Sequence, residues 1–233
     1  MKLVPVKILA GVSLLLMFSC GTVDYAKKYP NMVANADPVS AGVIEAQLER
    51  FFSSKLKKTD VDVIFHPRLN AVSLEFKYEL ISYRQFWDAA GRQQFAVALE
   101  LYKADYEARN LVDRYRKTRA VYGKAKGKVE WEAFKYTTTH LAYPVVEFGY
   151  RFESDSPFFT TNMRRTKEET DPSMSSPNGE STQITMYFTR AQADELVRIF
   201  DQEFLMGLLD KADVPVSDEP ADDSGPYRER EGE

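Results

Sequence analysis

The chain has 233 residues, a formal net charge of −4, 44% hydrophobic residues and 13% aromatic residues. That length allows one large domain or two small ones with a real core, and the composition excludes a wholly disordered chain. The acidic balance excludes a dedicated nucleic-acid binder, and a single cysteine excludes an intrachain disulfide or a dithiol redox pair.

The first stretch has the layout of a secretory signal. Lys2 and Lys7 make a basic head, Ile8 to Phe18 carries no charge, and Ser19-Cys20-Gly21 is small. At ~1.5 Å per helical residue the apolar run falls well short of a hydrocarbon core ~30 Å thick, so it enters a translocon without spanning a bilayer. Met17-Phe18-Ser19-Cys20 resembles the lipobox of bacterial lipoproteins, in the relaxed form found in spirochaete lipoproteins. Met17 stands where Leu is usual, and Phe18 is bulky for its place. The resemblance covers the first 21 residues. It implies cleavage of residues 1–19 as a signal peptide, a diacylglyceryl thioether on Cys20, and often an acyl chain on the new amine. The other reading is an ordinary secretory signal with a free thiol. Acyl chains contribute ~0.8 kcal/mol per buried methylene, and stable anchoring takes at least two chains. Gly21 follows the cysteine where some inner-membrane lipoproteins carry aspartate, which implies the outer membrane. Cleavage removes Lys2 and Lys7 and no acidic residue, so the mature chain is more acidic still.

Residues 20–37 read as a tether. About 17 flexible residues span on the order of 20–25 Å, which sets a body just above the headgroups. Asp37-Pro38 then opens an expected helix, with Ile44, Leu48, Phe51, Phe52 and Leu56 at helical spacing and Lys57-Lys58 near its end. Val61 to Phe65 reads as a strand and His66 to Asn70 as a turn. Val72, Leu74, Phe76, Tyr78 and Leu80 alternate with polar residues, so the two segments form an antiparallel hairpin with one wet face. A long helix is expected over 84–111, striped by Phe95, Leu99, Tyr102 and Tyr106, with a bend or a start near Gly91. Val129 to Thr137 reads as a strand around Trp131, with a bulge to reconcile its two phases, and Thr138-Thr139-His140 as a connection. Val146, Phe148, Tyr150 and Phe152 mark a half-buried strand, and Phe158 to Met163 a shorter one. A polar loop over 164–181 precedes the last strand, Ile184, Met186 and Phe188. Thr189-Arg190-Ala191-Gln192 is a capping box that starts a final helix striped by Leu196, Phe200, Phe204 and Leu208. Residues 213–233 are acidic, carry almost no apolar residue, and read as a disordered tail.

The expected fold is therefore α+β: an antiparallel sheet of about six strands with three helices packed mainly on one face, over a single domain spanning 38–212. A duplicated strand-helix half is conceivable, but no residue-level repeat supports it.

Chemistry-bearing motifs are sparse. No Gly-x-Ser-x-Gly elbow, His-Glu-x-x-His pair or Walker loop occurs. Asp60, Asp62 and His66 bear metal-ligating groups, but a strand strings them out. Glu130, Glu132 and Glu147 offer carboxylates that a glycosidase would need on one face, but a solvated face of alternating charge is the far commoner reason for such a pattern. The residues give no catalytic, cofactor or metal assignment. The most unusual patch is basic: Arg114, Arg116, Lys117, Arg119, Lys124, Lys126 and Lys128, with no acid among them. Contact with an anionic surface is one reading, at ~1 kcal/mol per basic residue near an anionic bilayer; a mobile solvated loop is the other.

The leading expectation is a non-enzymatic, lipid-anchored envelope protein. Its membrane contact is the N-terminal lipid, and its body binds another envelope protein or a wall component such as an anionic polymer. A periplasmic carrier of a small apolar ligand, held among strand aromatics, is the alternative. A hydrolase with an unfamiliar site is the third reading.

Overall fold

A computed structural model describes residues 31–50, 53–112, 122–133, 139–170 and 179–212. The signal peptide, Cys20, most of the tether and the acidic tail lie outside them. In chain order the elements are β1 (Val39–Arg50), β2 (Ser53–His66), β3 (Ala71–Tyr78), β4 (Ile81–Trp87), α1 (Ala89–Glu107), β5 (Gly123–Lys126), β6 (Lys128–Ala133), β7 (His140–Ala142), β8 (Val145–Glu153), β9 (Ser156–Met163), β10 (Ile184–Phe188), α2 (Arg190–Phe200) and α3 (Gln202–Lys211).

The fold is α+β, with three helices among the described residues, but its sheet has ten strands where the sequence led us to expect about six. They are ordered β5-β8-β9-β10-β1-β2-β3-β4-β6-β7, and each neighbouring pair is antiparallel. The sheet curls into a half-barrel. Its curl is written into the connections. β5 is one edge strand and β6 lies next to the other edge, yet Gly127 alone joins them, and its N–H donates to the Pro144 carbonyl at 3.0 Å. A Cβ at position 127 would stand 3.4 Å from Val146 Cγ2, an ordinary contact with β8.

The extra strands come from three places. The expected helix over 38–58 is the hairpin of β1 and β2. Ile44 and Leu48 are four residues apart, a spacing that fits both a helical face and a strand face. Buried Ala46 between them, and exposed Val43, show that period two wins. The expected helix over 84–111 begins later, because Ile81–Trp87 is β4 and Asp88 caps α1 by accepting from the Gly91 N–H at 2.7 Å. The short β5 and β7 were read as turn and connection. The expected final helix is two, broken at Asp201 (ψ 134°), which ends α2 and caps α3.

The hairpin of β2 and β3 forms as expected, and Asn70 adopts φ 46° in its turn. Both bonds of the Thr189–Gln192 capping box are present.

The helices fill the concave side. Phe95 of α1 lies edge-on to Phe148, Phe159 and Phe188 of three strands and to Phe200 of α2. Phe95, Phe148, Phe159 and Phe188 are all fully buried. Removing one such side chain typically costs ~3–5 kcal/mol. Arg92 closes the same end of the core. Its guanidinium is 4% exposed and donates to the Asn70 and Phe200 carbonyls and to the side chains of Asn70 and Gln202. No described helix is long and apolar enough to cross a membrane.

Candidate functional site

The outer face of β2, β3, β4 and β6 carries the most organised polar chemistry. Alternation along β3 turns Val72, Leu74 and Phe76 inward and Ser73, Glu75 and Lys77 outward. Register then sets Asp62 opposite Glu75, Glu75 opposite Arg84, and Arg84 opposite Glu130. Two carboxylates face each other in that row, an arrangement that is unfavourable by itself. Arg84 relieves the repulsion: Nε donates to Glu75 Oε1 at 2.8 Å and Nη1 to Glu130 Oε2 at 3.1 Å. Partial burial pulls the Arg84 pKa down, but Glu75 and Glu130 outweigh it and raise it above the ordinary value. Lys128 pairs with the other Glu130 oxygen at 2.6 Å and lies over the Phe86 ring.

The row continues into a serine and a histidine. Ser73 Oγ donates to Glu75 Oε1 at 3.1 Å and lies 2.8 Å from His66 Nε2. Since the hydroxyl proton is directed to the carboxylate, the ring N–H donates to Ser73 Oγ. Burial pushes the His66 pKa down to about 4; the Arg84 and Lys128 cations add to this, and Glu75 and Glu130 oppose it. A nucleophile needs a base that takes its proton and a route for substrate. Ser73 is fully buried, so the contact ties the strands together and its hydroxyl has no open route to a substrate.

Below this row, Asp60, Lys77, Ser82, Glu132 and Thr139, together with the aromatic Phe76, Tyr83 and Trp131, join it to line an open cleft of about 500 Å³. That volume is in the range of small-ligand sites. Its walls carry both signs of charge.

The other sequence candidates are distributed as follows. Asp60, Asp62 and His66 are strung along β2, with Asp62 and His66 separated by ~13 Å at strand rise. Among the described residues no group of three ligating side chains is placed to hold a metal ion. Glu130, Glu132 and Glu147 do not form a shared acid pair. Glu147 is 2% exposed and engaged by Arg164 at 2.6 Å, Lys124 at 3.5 Å and Asn162 at 3.2 Å. Burial works to raise its pKa, and these partners, Arg164 foremost, lower it below the ordinary carboxylate value. Of the basic run, Arg114, Arg116, Lys117 and Arg119 lie outside the described residues. Lys124, Lys126 and Lys128 sit on β5 and β6; Glu147, from β8, pairs with Lys124, and Glu130, two residues beyond the run, pairs with Lys128.

His140 belongs to β7, not to a connection. Its Nδ1 lies 2.5 Å from Glu168 Oε1 and its ring stacks on Trp131. This pins the 164–170 segment to the sheet edge, where the Glu169 N–H donates to the Leu141 carbonyl at 2.8 Å. Sequence reasoning missed Ser73, Arg84, Arg92 and Glu168. The alternation of β3 pointed to Ser73 and Glu75, but reading β4 as helix hid Arg84 as their cross-strand neighbour.

A protein-family profile described as "Uncharacterised Treponema protein" matches residues 40–207. The chain belongs to this family. The match covers the sheet and helices from β1 into α3, so the described body is the family's shared unit. An "Uncharacterized protein" of Treponema pallidum (strain Nichols) is 26% identical over 184 residues, covering 78% of this chain and 64% of the relative. The match thus spans slightly less than two thirds of that relative's length. No solved structure matches the chain.

Proposed function

We propose that this protein is a lipid-anchored component of a spirochaetal cell envelope whose body binds another envelope protein or a wall component through the outer face of its sheet. The observation that carries the binding reading is an open cleft lined from β2, β3, β4 and β6, where charged residues of both signs border Phe76, Tyr83 and Trp131 of the core. Cys20 supplies the anchor and Gly21 supports the outer membrane as its address. The alternative, a carrier of a small apolar ligand, draws on the strand aromatics. Phe148, Phe159 and Phe188 pack on Phe95 as core, which supports the binding reading over the carrier.

Photocrosslinking in intact cells tests this. A photoreactive residue at Ser82, inside the cleft, is expected to yield a defined adduct with an envelope macromolecule that weakens as salt is raised. The same residue at Gln94, on the exposed side of α1, is expected to yield none. Equal adducts from both positions, or none from Ser82, overturn the reading.

A further inference from the structure

The ladder between β2 and β3 stops before either strand does. It runs from His66 opposite Ala71 to Asp62 opposite Glu75. Beyond that rung β2 continues toward Ser53 on β1 alone, and β3 continues to Tyr78 on β4 alone. The two strands therefore part at Asp62 and Glu75, and the open cleft lies in the fork. Lys57 to Asp60 of β2 form one wall, and Phe76 and Lys77 of β3 begin the facing one. Among the described residues, nothing pairs with β2 over 57–61 on the side away from β1. Alternate residues of a strand send their N–H and C=O groups to opposite sides. This stretch, ~17 Å long at strand rise, thus offers a free main-chain edge to the cleft.

The charges along that edge are not all used within the chain. Asp62 stands opposite Glu75 and Asp60 opposite Glu45, two like-charge rungs. Lys58 pairs with Glu45, and Arg84 with Glu75 and Glu130, so the cations at hand go to the glutamates. Among the described residues, exposed Asp60 and Asp62 have no cation partner, and exposed Lys57 and Lys77 have no carboxylate partner. All four line the cleft.

We propose that the fork is a strand-addition site. An extended polypeptide segment of a partner protein pairs its main chain with β2 over 57–61. It sets basic side chains beside Asp60 and Asp62 and an acidic one beside Lys57 and Lys77. The proposal rests on the cleft reading above and narrows its occupant to a polypeptide. A free strand edge is completed by the N–H and C=O groups of another strand, which a saccharide or a polyanion does not present at strand spacing. Asp60 and Asp62 also repel a uniformly anionic polymer, and the charged edge keeps uncharged strands from pairing indiscriminately. Asp60 and Asp62 share a face ~7 Å apart, so the matching basic residues are two positions apart as well.

The test uses the mature chain with Cys20→Ser and a random heptapeptide library displayed on phage. Recovered peptides are expected to carry basic residues at i and i+2, with an acidic residue three to five positions from them. The tightest is then synthesised, together with two versions N-methylated at alternate main-chain nitrogens, one for each edge of the strand. Methylation of at least one edge is expected to abolish binding although every side chain is kept. Asp60→Lys with Asp62→Lys is expected to weaken the parent peptide roughly tenfold, because two favourable cross-strand pairs become repulsive. A peptide with its acidic and basic residues exchanged is expected to recover binding to that variant, and circular dichroism confirms that the variant folds. No recovered peptide, recovered peptides without the charge pattern, or methylated versions that both match the parent in affinity overturn the proposal. The in-cell adduct at Ser82 decides the cleft reading separately. A protease-sensitive adduct there supports both, whereas a glycan adduct keeps the cleft reading and overturns strand addition.

Discussion

Replacing Arg92 by methionine keeps most of the aliphatic stem and removes every donor. Arg92 is 4% exposed and ties together three places: the Asn70 carbonyl at 2.8 Å, the Phe200 carbonyl at 3.2 Å and the Gln202 side chain at 2.7 Å. Burial depresses its pKa to about 10, with Asp88 and Asp201 opposing, so the guanidinium stays charged at neutral pH. The variant leaves the Asn70 and Phe200 carbonyls without this donor, at ~1–3 kcal/mol each, and also loses a longer bond to the Trp87 carbonyl and a charge-assisted bond to Gln202. Removing the cation's own desolvation cost offsets part of that. The net expectation is a loss of about 3–4 kcal/mol. For a domain of this size it lowers the melting temperature on the order of 10 °C. Urea unfolding followed by the fluorescence of buried Trp87 and Trp131 measures it directly. Arg198→Met, which removes an exposed i,i+3 pair with Glu195 and a contact over the Phe204 ring, is the control and is expected to shift the urea midpoint far less. If Arg92→Met unfolds at the same urea concentration as the control, the guanidinium does not hold the β2–β3 turn to the α2–α3 junction, and the packing argument fails.

The outer-face network makes a pH prediction. His66 has its folded pKa lowered from 6.5 to about 4, so the unfolded chain binds the proton more tightly than the folded one. This contribution is complete above about pH 6.5 and is lost as pH falls toward 4, up to roughly 2–3 kcal/mol. Unfolding free energies of the native protein and His66→Gln are expected to converge over that window, and a constant difference across it would disprove the burial argument. Gly42 sits at a β1 bulge with φ +141°, where a Cβ would be strained whatever space surrounds it. Gly42→Ala is expected to cost about 1–2 kcal/mol in the same urea assay, and an unchanged midpoint would show that the bulge relaxes freely.

The parts of the fold legible in the sequence are those with a long unambiguous period or a specific cap. The alternation from Val72 to Tyr78 announced β3, although Leu80, expected on its buried face, lies 77% exposed in the following turn; Thr189 with Gln192 announced the start of α2. The β1–β2 hairpin was misread because Ile44 and Leu48 satisfy two periods at once, and the alanine that separates the periods is a weak apolar signal. β5 and β7, of four and three residues, are too short to show any period. The site was less legible for a different reason. The fork on Arg84 joins Glu75 to Glu130 and needs β3, β4 and β6 side by side, and no local pattern reports which strands are neighbours. The same holds for Arg92, whose partners lie at Asn70, Phe200 and Gln202. The basic run looked uncompensated because one counter-charge, Glu147, comes from another strand, and the other, Glu130, lies just past the run's end.

The most direct test of the anchored-binding account is the intact mass of the N-terminal peptide of the mature protein, purified from cell membranes in detergent. The account predicts a chain that begins at Cys20 and carries at least two acyl chains on that residue. A peptide that retains Met1, or one in which Cys20 is an unmodified thiol, would contradict it.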